Sequence, residues 1–159
     1  MKMNSLDLFL LDYKECRRRF LITAAAFPDE LLTWRPDKDA LSVGETIRHV
    51  LLHDLGWLMI LKDNRLPTDE ELSGLWEVPY TNLQDEVDRA SVYYEEFINY
   101  VSSLNINDLG TKYINWPHKP ISRTLGDTLE RKSYHDAVHT GQLLQYLRML
   151  HIDRPLIWD

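Results

Sequence analysis

Cysteine occurs once in these 159 residues, at Cys16. No internal disulfide can form, and a reducing compartment, the cytoplasm, is expected. Long apolar runs are also missing. The longest candidate, Val50 to Leu61, is broken by His53 and Asp54, and crossing a bilayer takes about 20 apolar residues. The stretch from Met1 to Leu11 carries Asp7 and no small-residue cleavage pattern, so it does not read as a secretory leader. No membrane partner is expected. Basic residues are scarce beside acidic ones, 18 Lys plus Arg against 25 Asp plus Glu, for a net charge of −7. That balance speaks against nucleic acid as a partner, because backbone affinity rests on clustered cations. The single basic run, Arg17-Arg18-Arg19, is expected to be a solvated helix face.

What is present is enough for one core. The chain is 44% hydrophobic with five Trp, which argues against disorder, and its length suits a single domain over residues 1–159. Nothing repeats at a period of 20–50 residues, so a solenoid is excluded.

Caps and periodicity predict four long helices. The first follows Ser5 and carries Leu6, Phe9, Leu10, Tyr13, Cys16, Phe20 and Ala24 at three- and four-residue spacing, until Phe27-Pro28 stops it. The second opens on Ser42-Val43-Gly44-Glu45, a capping box, and runs through Ile47, Val50, Leu51, Leu55, Leu58 and Leu61 to about Asp63-Asn64. The third starts at Thr81-Asn82-Leu83-Gln84 and continues to about Leu104. The fourth is capped by Thr124 and continues to about Leu150. A short extended piece is expected around Tyr113–Trp116. Between the second and third helices, Asp63 to Tyr80 shows no sustained period. About 18 extended residues reach about 60 Å, twice the length of a 20-residue helix. Such a connection can return the chain to its starting end, so the second and third helices can run parallel. The expected fold class is all-α, a four-helix bundle with a long crossover.

The chemistry lies in the histidines at 49, 53, 118, 135, 139 and 151. His49/His53 and His135/His139 are pairs four apart, a spacing that puts two imidazoles on one helix face where they can converge on an ion. Neutral imidazole suits zinc, nickel, copper or iron, and three nitrogens with an open position is a catalytic pattern. His135, His139, Gln142, Leu143, Tyr146 and Leu150 share a face with Leu125 and Leu129, which points both imidazoles inward. A bland alternative is a pair of core histidines satisfied by Tyr hydroxyls or carbonyls. On the second helix the apolar arc lies nearer His53 than His49, and periodicity leaves both open.

Other schemes fail on inspection. No Glu stands three residues before a His, as a bundle di-iron site needs, and there is no His-Glu-x-x-His, phosphate loop or Gly-x-Ser-x-Gly elbow. Cys16 sits in an apolar stripe and is expected to be packing rather than a nucleophile.

Ser42-Val43-Gly44-Glu45-Thr46-Ile47-Arg48-His49, followed by Trp57, resembles the second-helix signature of the DinB/YfiT-like superfamily. His135-Asp136-Ala137-Val138-His139-Thr140-Gly141-Gln142, then Tyr146-Leu147-Arg148 and Arg154-Pro155, resembles its fourth-helix motif. Trp34-Arg35-Pro36 before the second helix matches as well. The resemblance implies an up-down-down-up bundle and a divalent metal, zinc or nickel, held by His49, His135 and His139, with His53 a neighbour. Two departures stand out. Many members have His where this chain has Val138, and many have Gly near the helix end, where this chain has Leu150-His151.

The same resemblance implies a function class. Similar proteins include thiol-dependent S-transferases and isomerases, and others described as metal-dependent hydrolases. The leading expectation is a thiol transferase acting on a small-molecule substrate, with a low-molecular-weight thiol as cofactor and Gln142 and Tyr146 orienting the ligands. Arg48, Arg131 and Arg148 are the nearest cations for an anionic thiol. The alternatives are hydrolysis by metal-bound water and a non-catalytic metal- or ligand-binding stress protein. A homodimer is suggested by the resemblance alone.

Overall fold

The computed structural model describes residues 3–158. Met1, Lys2 and Asp159, which belong to the expected Met1–Leu11 segment and to the ends of the expected domain, lie outside them. The described chain is mostly helical: α1 (Ser5–Ala24), α2 (Val43–Asp63), the short α3 (Asp69–Leu72), α4 (Leu83–Ser102) and α5 (Leu125–Met149). A two-stranded antiparallel sheet, β1 (Tyr113–Asn115) and β2 (Ser122–Thr124), pairs Tyr113 with Thr124, Ile114 with Arg123 and Asn115 with Ser122. None of these helices is long and apolar enough to cross a membrane.

The helix starts follow from side-chain oxygens that satisfy first-turn amides. On α2, Ser42 Oγ accepts from the Glu45 amide at 3.1 Å while Glu45 Oε2 accepts from the Ser42 amide at 2.6 Å, the reciprocal box expected there. Thr124 caps α5 through the Asp127 amide at 3.3 Å. The cap of α1 is Asn4 rather than Ser5: its Oδ1 takes the Leu6 and Asp7 amides, and Asp7 closes the box on the Asn4 amide. On α4 the cap is Asn82, which takes the Asp85 amide at 2.9 Å. The Asp85 carboxylate accepts from the Thr81 hydroxyl and Asn82 Nδ2.

The purely α expectation is corrected by the hairpin. Tyr113–Asn115 falls within the anticipated extended piece, but its partner Ser-Arg-Thr has no apolar alternation to mark it as a strand. Ile114 is the anchor, buried in the core under the hairpin. The stretch between α2 and α4 also holds an unanticipated turn of helix, α3, boxed by Thr68 and Glu71.

α2 ends at Asn64, whose φ of 53° is the left-handed geometry that stops a helix. Its side-chain Oδ1 also accepts from the Asn115 amide at 2.8 Å, tying β1 to the end of α2. Gly44 is required by a close approach, because a Cβ there would come within 2.7 Å of the Tyr80 ring and 3.0 Å of the Leu32 carbonyl.

Two apolar clusters form the core. One gathers Phe20, Val43, Ile47, Leu51, Leu143 and Leu147, and the other Phe9, Tyr13, Trp57, Leu61, Phe97 and Leu129. Between them, on three helices, stand buried charges: Arg17 on α1, Asp54 on α2, Lys132 and Asp136 on α5. Arg17 Nη2 lies 2.9 Å from Asp54 and 3.4 Å from Asp136, and Lys132 Nζ 3.0 Å from Asp54 and 2.7 Å from Asp136. The Tyr13 hydroxyl donates to Asp54 at 2.7 Å. Two cations and two anions thus compensate one another where burial of either alone would be costly. Arg17 therefore corrects the solvated-face expectation for the basic run. Arg18 and Arg19 remain partly exposed and pair with Glu15.

Candidate metal centre

His49 and His53 reach inward from α2, and His135 and His139 from α5. His135 Nε2 lies 3.0 Å from His49 Nε2 and 3.1 Å from His139 Nε2. One ring nitrogen from each of these three residues falls within 4.8 Å of the others. His53 joins on the far side, its Nδ1 3.3 Å from His135 Nδ1. The structure thus brings together the three histidines singled out in the sequence and places His53 against the same group. Both faces suggested for α2 turn inward, because the helix meets α4 and α5 at once.

The hydrogen-bond partners assign the tautomers. His135 Nδ1 meets Asp136 Oδ1 at 3.1 Å, and a carboxylate can only accept, so that nitrogen carries the proton. His139 Nδ1 meets Gln142 Oε1 at 2.6 Å, again as the protonated nitrogen. The Nε2 atoms of His135 and His139 face each other at 3.1 Å.

Burial disfavours the charged form of His49, His53 and His139. Burial, together with His135 and His139, lowers the His49 pKa to about 4. Burial and His135 lower His53 to about 2, and burial and His135 also lower His139. Burial would raise the Asp136 pKa, but Lys132, the His135 bond and Arg17 together hold it well below the usual carboxylate range. Asp136 is therefore an anion fixed behind His135, an arrangement that orients an imidazole and raises its basicity as a ligand.

A cation fits this donor set. Two nitrogens on one zinc, each at about 2.1 Å, stand roughly 3.4 Å apart across a tetrahedral angle, close to the separations of 3.0 and 3.1 Å. Neutral imidazole nitrogens are the ligands such ions prefer, and Asp136 and Gln142 supply the outer support.

Beside the imidazoles lies a cavity of about 380 Å³ lined by residues that include His53, Trp57, Trp116, Arg131 and His135. Arg131 reaches this wall, as expected for one of the three arginines. Arg48 does not: it is fully buried, bonded to Glu86 at 2.6 and 2.8 Å and to the Trp76 and Val78 carbonyls at 2.7 and 2.6 Å. Its role is to tie the stretch before α4 to α2. Arg148 is exposed and does not line this cavity. Of the two orienting candidates, Gln142 bonds the His139 ring, whereas the Tyr146 hydroxyl donates to the Leu41 carbonyl at 3.3 Å and its ring packs on Trp34. His118 and His151 are outside the cluster, each exposed and in a left-handed turn. Cys16 is half-buried on α1, and burial, with Asp12, pushes its thiol up to about 11. The residues that sequence patterns did not single out are Asp54, Lys132 and Asp136, and on the cavity wall Lys119 and Arg123.

A mostly helical chain carrying a convergent three-histidine group defines a class, and comparison with known proteins names it. The model of the DinB superfamily matches residues 12–143, and the chain belongs to that superfamily. Among solved structures it is similar to the DinB-like protein YjoA of Bacillus subtilis, at 18% identity and a TM-score of 0.69 over 94% of this chain and 96% of that one. It is also similar to a DinB-like protein of Bacillus cereus, at 15% identity and a TM-score of 0.73 over 94% and 95%. These likenesses are of fold. No curated protein sequence matches the chain.

Proposed function

We propose that this chain is a metal-dependent enzyme in which His49, His135 and His139 hold one divalent cation, zinc or nickel, and that it catalyses transfer to or from the sulfur of a small-molecule thiol. The observation that carries the reading is the convergence of His135 Nε2 on His49 Nε2 at 3.0 Å and on His139 Nε2 at 3.1 Å, with Asp136 and Gln142 against the Nδ1 atoms of His135 and His139. Three imidazole ligands leave positions open on a bound ion.

A cation held there lowers the pKa of a coordinated thiol or water. The chain's own residues do the rest. Asp136, anchored by Lys132 and Arg17, keeps His135 in one tautomer, and Gln142 does the same for His139. The cavity gives a small molecule access to the imidazoles. A thiol brought in by a cofactor agrees with the state of Cys16, whose own thiol is pushed up and which does not line this cavity. We also read the four long helices as an up-down-down-up bundle. That is supported by Arg48 meeting Glu86 and Leu61 meeting Tyr100, so that α2 and α4 advance together along the long connection.

The test is metal content by elemental mass spectrometry on tag-free protein, followed by thiol-consumption assays with panels of electrophiles. Near-stoichiometric zinc or nickel is expected in the wild type, lost in His49→Ala and His135→Ala and kept in His53→Ala. A wild type that stays metal-free when both ions are supplied would overturn the metal centre. Turnover of esters or amides without any thiol would replace transfer with hydrolysis.

A further inference from the structure

The cavity next to His53 and His135 has a composition at odds with the chain as a whole. In a protein of net charge −7, three cations, Lys119, Arg123 and Arg131, line it. Asp127 is the acid that meets two of them, at 3.2 Å from Arg123 and 3.2 Å from Arg131. The Lys119 ammonium has no acidic partner among the described residues. The cavity lining therefore carries an excess of positive charge. The lining is also aromatic: Trp57 from α2 and Trp116 from the hairpin meet edge to face, with centroids 5.3 Å apart and planes at 73°.

We infer that this cavity binds a small organic carboxylate with a flat apolar body, the carboxylate on Lys119, Arg123 and Arg131 and the body against Trp57 and Trp116. A volume of about 380 Å³ falls within the range of about 300–1,000 Å³ typical of small-molecule sites. Arginines match a carboxylate's two oxygens with paired donors. The apolar body gains from leaving water against the indoles. Because His135 belongs to both the cavity and the imidazole group, such a ligand would lie beside the proposed metal. Its reactive role rests on that reading, whereas its binding does not.

Calorimetric titration separates the two. The probes are naphthoate and its neutral counterpart naphthalenemethanol, added to the full chain with its metal and after treatment with chelator. Naphthoate is expected to bind about tenfold or more tightly than the alcohol. The double variant Lys119→Gln/Arg131→Gln, both surface changes, should abolish that preference, while Lys38→Gln, exposed and elsewhere, should keep it. Equal affinity for acid and alcohol, or a preference that survives in the double variant, would overturn the proposal. Naphthoate preference in a chain that takes up no metal supports the pocket and counts against the metal centre. A metal-loaded chain with no preference does the reverse.

Discussion

Lys132 and Asp136 stand one turn apart on α5, both without solvent exposure, with the ammonium 2.7 Å from each carboxylate oxygen. The pair sits where the two apolar clusters would otherwise merge, and it backs the ring of His135.

Removing the cation should be expensive. Lys132→Met leaves Asp54 and Asp136 buried with Arg17 as their cation, and a loss of roughly 3–5 kcal/mol is expected. Guanidinium unfolding followed by circular dichroism measures it. A loss below about 1 kcal/mol, the value of an exposed pair, would mean that water reaches these carboxylates.

Gln142 is placed to hold His139 in one tautomer through a 2.6 Å contact. Gln142→Ala should leave the fold intact and weaken metal affinity about tenfold or more. Competition against a chromophoric chelator reads this directly, and unchanged affinity would show that the contact does not govern the ligand.

Gly44 lies in a helix, where alanine is ordinarily favoured by about 1 kcal/mol. Here the added methyl would meet the Tyr80 ring at 2.7 Å and the Leu32 carbonyl at 3.0 Å. Gly44→Ala is expected to destabilise by roughly 1–3 kcal/mol, seen as a lower Tm. A raised Tm would mean that Tyr80 moves aside freely.

Cys16 gives a pH dependence with a definite sign. An acid whose pKa rises from 9.0 to about 11 holds less thiolate at any pH below that range. At pH 8 alkylation by iodoacetamide should run about a hundredfold slower than for the unfolded chain, because the thiolate is the nucleophile. The rate should climb until the pH passes about 11. Mass spectrometry of the alkylated protein follows it, and equal rates in folded and urea-unfolded chains would contradict the burial.

The parts of the fold written in local chemistry are legible in the sequence. Ser42 with Glu45, and Thr124, mark their helix starts because capping is a contact between neighbours three residues apart. The convergence of His135 and His139 is legible for the same reason. The face chosen by α2 is not, since a wheel shows one arc while the helix meets two neighbours, and His49 and His53 both turn inward. The buried charges are hidden more deeply. Arg17, Asp54, Lys132 and Asp136 each look like solvent-seeking residues, and only their meeting across three helices makes burial tolerable. The second strand of the hairpin is equally silent, since Ser122-Arg123-Thr124 gains its form from pairing with β1.

Asn64 ends α2 in a left-handed turn and grips the Asn115 amide with the same side chain. The strand that carries Trp116 into place is thereby pinned to the helix that carries His53 and Trp57. The distance from the aromatic wall to the imidazoles is then set by backbone and does not adjust to what enters. The aromatic lining and His53 therefore share one frame, built from α2 and the strand tied to its end.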